Sequence, residues 1–263
     1  MSSPVPKPPG SPSTGLARAL SKLGVCSRSQ ARQFILQGRV RLNGNVCRDP
    51  ERRVNPDRAR IELDSQLVAA TAKFYLVLNK PRGLVTSASD EQGRPTVFQC
   101  FEGAAFPPLS PVGRLDMASE GLLLFTNDTA WAAQITSPQQ AIEKIYHVQV
   151  DRVADADLLR KLCAGIDVDG EHLAVARARQ LRQGTRNSWL EIVLTEGKNR
   201  HIRRLLQALG LEVLRLVRVA VGPLQLGDLP KGNYRQLTPQ EVTLLRHAGQ
   251  PVRTSQPQLG TPD

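Results

Sequence analysis

Apolar residues near the N-terminus recur at helical spacing and are followed by a hairpin signal. Leu16, Ala19, Leu20 and Leu23 fall on one side of a helix that the next glycine can end. The segment RSQARQFILQ is also helical in pattern and is preceded by a capping-box arrangement, a Ser three residues before a Gln. Asn-Gly in VRLNGNV predicts a tight turn between two short strands, and ARIELD predicts a further strand. We therefore predict a compact helix–helix–hairpin module over residues 15–70, called the N-terminal module below.

From residue 74 to residue 248, strand patterns outnumber helix patterns. FYLVLNKP, GLLLFTND and WLEIVLTEG predict strands, and KIYHVQV alternates apolar and polar residues as a strand does. DADLLRKLCAGI predicts a helix, HIRRLLQALG predicts one of about ten residues that ends at Gly210, and EVLRLVRVAVGPLQL predicts paired strands. Because the connections are short, we predict a larger α+β domain on a mixed, mostly antiparallel sheet.

The two ends of the chain are polar and rich in Pro. Residues 1–14 and 249–263 are therefore predicted to be disordered arms. The N-terminal arm has no apolar core of a signal peptide, and no apolar run approaches the ~20 residues that cross a membrane. We expect a cytoplasmic protein with no membrane partner.

Charge points to an anionic partner. The chain carries a formal net charge of +11 and has a pI of about 10.1, a balance that favours nucleic acid. Residues 16–64 hold eleven basic and five acidic residues, so more than half of the excess lies in the N-terminal module. A solvated charged surface is the alternative. The basic residues of the second helix and the hairpin, which include Arg28, Arg32, Arg39 and Arg41, suit contact with an RNA backbone instead.

Cysteine and histidine spacing indicates neither metal nor disulfides. The cysteines (Cys26, Cys47, Cys100 and Cys163) are far apart, and the histidines (His147, His172, His201 and His247) lack metal-ligand spacing. Phosphate-binding glycine motifs are also absent from the sequence. We expect reduced thiols, no metal and no nucleotide cofactor.

Two segments carry candidate chemistry. Gly113-Arg114-Leu115-Asp116 is a polar turn, in which a lone Asp is most often a cap or a turn former. EGKNRHIRRLLQALG gathers basic residues at the start of a helix, where they are unfavourable unless an anion binds. Contact with an RNA backbone, without catalysis, explains the second segment equally well.

Both regions resemble known families. Residues 16–63 are similar to the S4-type RNA-binding domain, through the S-R-x-x-A-x-x-x-I-x-x-G helix and the V-x-L-N-G hairpin. From residue 74 to about 242 the chain resembles bacterial ribosomal pseudouridine synthases of the RsuA type. Six motifs stand in that family's order: NKPRG, DEQGRPTV, GRLD with SEGL, KIYHV, EGKNRHIRR and GNYRQLT.

The resemblance implies roles for four residues. Asp116 is the catalytic carboxylate, whether it attacks the sugar, attacks the ring or removes a sugar proton. Arg203 pairs with that carboxylate, and Tyr146 packs against the uracil, with its hydroxyl as a candidate proton carrier. Arg114 fills the gap left in the RNA or binds phosphate. The remaining candidates for phosphate contacts are Lys80, Arg82, Lys198, Arg200 and Arg204.

Several alternatives stay open. Thr129, His201 and the Met117-Ala118 pair depart from the family's usual residues, which bears on the choice of uridine rather than on the reaction. GRLD-x-x-SEGLL favours large-subunit RNA, whereas QITSP also occurs in small-subunit enzymes. A non-catalytic RNA-binding ribosome-assembly factor on the same fold is the main rival, and a hydrolytic RNA enzyme a weaker one. The expected partner is ribosomal RNA or a pre-ribosomal particle, bound by a monomer.

Overall fold

The computed structural model describes residues 13–249, which form an α+β protein as predicted. The α-helices of this range are α1 (Leu16–Lys22), α2 (Arg28–Leu36), α3 (Thr129–Thr136), α4 (Ala156–Ala164), α5 (His201–Ala208) and α6 (Pro239–His247). The first strands are β1 (Thr14–Gly15), β2 (Val40–Leu42), β3 (Asn45–Val46), β4 (Arg53–Val54), β5 (Ile61–Leu63), β6 (Gln66–Leu67), β7 (Tyr75–Lys80), β8 (Ser110–Val112) and β9 (Glu120–Thr126). The later strands are β10 (Lys144–Val150), β11 (Ile166–Val168), β12 (Glu171–Leu173), β13 (Arg177–Gln183), β14 (Ser188–Leu194), β15 (Val213–Val221), β16 (Leu224–Gln225) and β17 (Tyr234–Gln236). None of the described helices is long and apolar enough to cross a membrane.

The N-terminal module forms the predicted elements. The side chain of Ser27 accepts a hydrogen bond from the Gln30 backbone, and the Gln30 side chain completes the capping box. Asn43 and Gly44, at φ 51° and 87°, form the tight turn between β2 and β3 in an antiparallel sheet of order β3-β2-β5-β6. The module has a buried core of its own: Leu16, Ala17, Ala19, Leu20, Cys26, Ala31, Ile35, Val40, Val54 and Ile61.

The module begins earlier than predicted. Thr14 pairs with Val54 in a two-stranded ribbon, and the Ser13 carbonyl accepts a hydrogen bond from Arg53 at 2.6 Å. Residues 13 and 14 therefore belong to the folded module rather than to the predicted arm 1–14. The rest of that arm, and residues 250–263 of the C-terminal one, lie outside the described residues.

Contacts divide the chain into two compact units, and the division falls inside the region predicted as one catalytic domain. Unit 1 runs up to Met117 and adds Leu123–Ala133 and Leu229–Gln236. Unit 2 consists of Ala118–Leu122, Gln134–Asp228 and the chain from Leu237 onwards. Strand β9 thus contributes its first three residues to unit 2 and the rest to unit 1.

Beyond the N-terminal module, unit 1 is built around the buried strand β7. β17 pairs antiparallel with β7, and β8 pairs antiparallel with the end of β9. Phe101 packs edge-on against Phe125, with ring centroids 4.9 Å apart, and lies 4.8 Å from the ring of Tyr234. The side chain of Asn79 donates to the Leu229 carbonyl at 2.7 Å, which ties β7 to the segment before β17.

Unit 2 is a sheet covered on one face by helices. Its strands run antiparallel in the order β13-β14-β10-β15, and β15 also pairs in parallel with the start of β9, so the sheet is mixed and mostly antiparallel as predicted. One face packs against α4 and α5 around a core that includes Val148, Leu162, Leu190, Ile192, Leu205 and Leu206. The other face, which alternation along the strands leaves outside this core, carries polar and charged side chains.

Two elements of unit 2 differ from the sequence prediction. α5 has eight residues and ends at Ala208, because Gly210 turns the chain at φ +74°. β13, RARQLRQ, was not predicted, because four of its seven residues are exposed and its apolar pattern is weak. β13 is a strand because it pairs with β14, and the residues of β13 alone give no indication of that pairing.

Gly121 is required by a close approach of two strands. It has φ +100°, and a Cβ at this position would lie 2.2 Å from the carbonyl oxygen of Arg218. That distance is far below any van der Waals contact. The parallel pairing of Arg218 with Gly121 therefore depends on the absence of a side chain here.

We predict that Gly121→Ala lowers the free energy of unfolding by about 2–6 kcal/mol, from a strained φ together with overpacking. Denaturant titration of the full chain measures this. Gly170→Ala is the matched control, since Gly170 has φ +76° and no atom lies within 4 Å of the place that a Cβ would take there. It should cost about 1–2 kcal/mol. Equal losses in the two variants would refute the role of the close approach.

Candidate active site

The backbone on both sides of Asp116 is fixed within unit 1. The Thr86 hydroxyl donates to the Leu115 carbonyl at 2.7 Å and accepts from the Leu115 N–H at 3.4 Å. The Gly83 N–H donates to the Met117 carbonyl at 2.7 Å. Hydrogen bonds therefore join the region of the NKPRG motif to the region of the GRLD motif, although the two motifs are far apart in the sequence. Asp116 is half-buried, and hydrogen bonds to its two sequence neighbours hold its backbone in place.

Lys80 holds the same loop from inside the protein. Its ammonium donates to the carbonyls of Pro81 at 3.1 Å, Asp116 at 3.2 Å and Met117 at 3.5 Å, and the residue is 0% exposed. The predicted contact of Lys80 with phosphate stays a prediction that the geometry does not favour, because its side chain is fully buried. A buried ammonium needs hydrogen-bond acceptors, and the backbone around Asp116 supplies them.

Tyr146 lies on β10 in unit 2, where both neighbouring strands fix its position. It pairs with Ile192 of β14 and Arg218 of β15. Its half-buried ring packs against the apolar core under α4 and α5. Lys144, two residues earlier on the same strand, is half-buried as well, and burial together with the charge of Arg218 lowers the pKa of its ammonium.

Arg203 lies on α5 and is held by backbone carbonyls of unit 2. It donates to the Ala118 carbonyl at 3.0 Å and, more weakly, to the Val213 carbonyl at 3.5 Å. These bonds orient a guanidinium that is half-buried. Since Ala118 stands two residues after Asp116 in the sequence, the carbonyl that Arg203 contacts belongs to the same GRLD-x-x-S-E-G segment.

The neighbouring cations Arg204 and Lys198 have other partners. Arg204 donates to a carboxylate oxygen of Glu171 at 2.7 Å and to the Val168 carbonyl at 3.0 Å. This hydrogen bond lowers the pKa of the Glu171 carboxyl. Lys198 donates to the His172 carbonyl at 2.6 Å and lies 3.1 Å from a carboxylate oxygen of Glu196. Both side chains are used within the protein, so their predicted phosphate contacts stay predictions that the geometry does not favour.

The other predicted RNA contacts are more accessible. Arg82, Arg114 and Arg200 are exposed, as are the module's residues Arg28, Arg32, Arg39 and Arg41. Arg39 forms an ion pair with Asp64 and lies over the ring of Phe34. Its charge is therefore partly matched, whereas Arg28 and Arg32 are one helical turn apart on α2 with their side chains in solvent.

His201, which departs from the family pattern, is buried at the first residue of α5. It is 3% exposed, and its Nδ1 lies 3.8 Å from a carboxylate oxygen of Glu196. Burial is the main cause that lowers its pKa, so the ring is neutral at neutral pH. Its buried position does not favour a direct contact with RNA.

Sequence reasoning gave no role to two buried charges of unit 2. Glu120, 3% exposed, forms a two-point ion pair with Arg215, at 2.9 and 3.1 Å. Arg218, 6% exposed, donates to the Leu122 carbonyl at 2.8 Å. In the sequence, only the SEGLL motif hinted at a buried charge, because it places the carboxylate of Glu120 at the start of an apolar strand.

A metal site has no support in the described part of the chain. Between residues 13 and 249 no group of three or more His, Cys, Asp or Glu side chains is placed to hold a metal ion. The four cysteines are free thiols. That the reaction needs no metal and no cofactor stays a prediction.

The comparisons with known proteins identify the class. The family model described as RNA pseudouridylate synthase matches residues 74–208, and the S4 domain model matches residues 14–58. The chain therefore belongs to the RNA pseudouridylate synthase family and carries an N-terminal S4 domain, so it is an RNA-modifying enzyme. The predicted resemblance is confirmed.

Individual relatives are similar over most of their length. The ribosomal large subunit pseudouridine synthase B of Bacillus subtilis is 35% identical over 233 residues, which cover 88% of this chain and 95% of that protein. An RNA pseudouridine synthase of Rickettsia prowazekii is 37% identical over 224 residues, covering 85% and 94%. A crystal structure of a pseudouridylate synthase matches with a TM-score of 0.63 and 30% identity, covering 88% of this chain and 99% of that one.

We predict that Lys80→Met damages catalysis and Arg82→Met damages RNA binding. Loss of the buried ammonium should cost about 1.5–3 kcal/mol of unfolding free energy, because carbonyls lose a charged donor. A shift of the Asp116 loop by about 1 Å should lower single-turnover rates by about 100-fold.

The adjacent Arg82 is the matched control. Its replacement should mainly weaken RNA affinity and reduce the slope of log affinity against log salt by about 1. Single-turnover kinetics and binding titrations on the same RNA separate the two effects. A Lys80→Met enzyme with normal turnover and reduced salt slope would show that Lys80 contacts RNA after all.

Proposed function

We propose that this enzyme isomerises a specific uridine of ribosomal RNA, in the large subunit, and that Asp116 is its catalytic carboxylate. The observation that carries the proposal is the backbone-fixed GRLD loop in a chain of the pseudouridylate synthase family. The name of the Bacillus subtilis relative supports the large-subunit substrate, as does the SEGLL pattern.

The reaction needs an ionised carboxylate. The bond from ribose to the ring nitrogen breaks, the uracil turns, and a bond from ribose to a ring carbon forms. That carbon loses a proton, and the released ring nitrogen gains one. Nothing is oxidised, so the balance requires no redox partner. Asp116 attacks the sugar, attacks the ring or removes a sugar proton, and each of these uses its charged form in a site shielded from water.

Arg203 is proposed to keep Asp116 ionised. Burial alone would raise the pKa of a carboxyl, and a nearby guanidinium opposes that effect by on the order of 1–3 units. The planar fork of Arg suits a carboxylate better than an ammonium does. The bond from Arg203 to the Ala118 carbonyl supports this assignment, because it orients the guanidinium on the backbone of the segment that carries Asp116.

Tyr146 is proposed to pack against the uracil and to move the proton from the ring carbon. Its support is the rigid frame of β10, which pairs with strands on both sides, and a half-buried ring. The target base must leave its stack at a cost of a few kcal/mol, which phosphate contacts offset. Exposed Arg82, Arg114 and Arg200 are the proposed contacts near the catalytic segments.

The proposed function also specifies the partner, the location and the oligomeric state of the enzyme. Ribosomal RNA or a pre-ribosomal particle is the partner, the protein acts as a cytoplasmic monomer, and no cofactor takes part. Membership in an enzyme family favours this reading over a non-catalytic assembly factor.

We predict that Asp116→Asn abolishes isomerisation, because the amide keeps the shape and loses the charge. RNA affinity should persist or increase, since a negative charge facing RNA is removed. Tritium release from uridine labelled at the ring carbon that becomes glycosidic measures turnover, and a filter-binding titration measures affinity. Near wild-type turnover would show that another residue is the catalytic carboxylate.

A pair of adjacent variants extends the same test to Arg203. Arg203→Lys keeps the charge but loses the fork, and should lower turnover by about 100-fold with little loss of affinity. Arg204→Lys is the matched control one residue away, where the partner is Glu171, and its effect should be mild. Equal effects in the two variants would argue against a specific role for Arg203.

We predict that the modified uridine lies in the large-subunit RNA. Pseudouridines are mapped by chemical labelling in both ribosomal RNAs of cells with and without this gene product. The expected result is one position lost from the large-subunit RNA and restored by the wild-type protein, but not by Asp116→Asn. A position lost from the small-subunit RNA would correct the subunit and leave the reaction unchanged.

A further inference from the structure

The face of the unit 2 sheet that points away from its core carries a groove of about 330 Å³. Charged and aromatic side chains from four strands line it: His147 of β10, Arg182 of β13, Trp189 of β14 and Arg215 of β15. Apolar side chains of Leu181, Val217 and Val219 complete the lining. The core on the other side of the sheet includes Val148, Leu190 and Leu216, which alternate with these positions.

Strand register places an aromatic ring between two guanidinium groups. Trp189 of β14 pairs with Arg182 on the neighbouring strand β13 and with Gln149 on β10. Gln149 in turn pairs with Arg215 of β15. The guanidinium of Arg182 lies over the indole, 4.8 Å from a ring centroid, and that of Arg215 lies 5.8 Å from it. The result is a row of stacked planar groups across the sheet.

The neighbouring row of paired residues on this face contains Arg179, Glu191 and His147, and its contacts are ordinary cross-strand ion pairs. Arg179 forms a two-point ion pair with Glu191, at 2.6 and 2.9 Å, and Glu191 is opposite His147. Arg215 likewise has Glu120 as its partner. Cross-strand ion pairs of this kind are what the solvated face of an antiparallel sheet normally shows.

Arg182 and Trp189 do not fit that explanation. Arg182 is exposed, and no carboxylate of the described chain lies within ion-pair distance of it. Trp189 is one of two tryptophans in the chain, and the other, Trp131, is 2% exposed in the core of unit 1. A half-buried indole on a solvated face, with two guanidinium groups over its ring, is an amphipathic surface that suits a planar ligand.

We infer that this groove binds an unpaired nucleotide of the RNA substrate, with its base stacked on the Arg182–Trp189 pair and a phosphate on Arg182. The inference rests on the RNA substrate of the proposed function and adds a second contact to it, on the sheet face opposite Tyr146. Its volume is at the lower end of the range for small-ligand pockets, which suits one nucleotide rather than a duplex.

The chemistry of the lining favours a nucleotide. Bases of every kind stack on indole and guanidinium planes, and an arginine without a carboxylate partner binds phosphate in a chain of net charge +11. Burial lowers the pKa of His147, against the opposing effect of Glu191, so its ring is neutral at neutral pH. The Nε2 of His147 lies 3.7 Å from a carboxylate oxygen of Glu191, which leaves at most its other ring nitrogen for a base edge.

The test measures RNA affinity in the full-length Asp116→Asn background, in which no turnover complicates binding. The probes are a large-subunit ribosomal RNA fragment and a single-stranded ten-nucleotide oligouridylate. Trp189→Val, which keeps a β-branched residue on the strand, should weaken binding of both by about 5-fold or more, the lower end of the range for one lost base–aromatic stack. Arg182→Gln should also weaken binding and lower the salt slope by about 1.

The matched control is Arg160→Gln. Arg160 is an exposed arginine of α4, paired with Asp157 and not among the residues that line the groove, and its replacement removes the same charge. It should leave both affinities near the parent value. Circular dichroism checks that each variant folds. If Trp189→Val does not fold, the comparison of Arg182→Gln with Arg160→Gln still tests the inference, because Arg182 is exposed.

Cross-linking locates the contact. The oligouridylate carrying 4-thiouridine should cross-link to the β14 peptide that contains Trp189, and this product should decrease in Arg182→Gln. The inference is overturned if Arg182→Gln and Arg160→Gln bind alike and the cross-links map elsewhere, or if a protein partner rather than RNA protects the groove. Such a result leaves the proposed function intact, because that proposal is tested by turnover and by pseudouridine mapping, neither of which depends on this groove.

Discussion

The burial of one ammonium group, that of Lys80, sets the conformation of the segment that carries Asp116. A charged amine removed from water is costly unless acceptors surround it, and here they are the carbonyls of Pro81, Asp116 and Met117. The dependence is mutual, because those carbonyls would otherwise need donors of their own. The backbone that carries Asp116, the proposed catalytic carboxylate, is thereby held by a side chain from another segment of the chain.

Two neighbouring arginines on α5 have partners of different kinds. Arg203 and Arg204 are adjacent, so the helix turns them about 100° apart, toward different partners. Arg203 donates to the backbone carbonyls of Ala118 and Val213, and these hydrogen bonds fix the direction of its guanidinium. Arg204 meets the carboxylate of Glu171, which neutralises it. Two identical side chains on neighbouring positions thus differ in the contacts that orient them, since backbone carbonyls accept from Arg203 and a carboxylate pairs with Arg204.

The sheet of unit 2 uses its two faces for different purposes. Alternation along β10 sends Tyr146 and Val148 to the helix-covered face and His147 to the other. A shift of one residue in register would exchange these faces. Gly121 secures the register of β15 against β9, since Arg218 approaches its backbone too closely for any side chain.

The sequence by itself determined the family, the order of motifs and most elements, because these depend on local spacing: the Ser27 capping box, the Asn43-Gly44 turn and the alternation of β10 are all as predicted. It could not separate Lys80 from Arg82, two cations in one motif, because burial is a property of the assembled fold. Nor could it find β13 or the Arg182–Trp189 pair, whose members are in contact only through strand pairing. Only the tertiary structure decided which charges are enclosed and which face solvent, since that depends on what the rest of the chain places around each one.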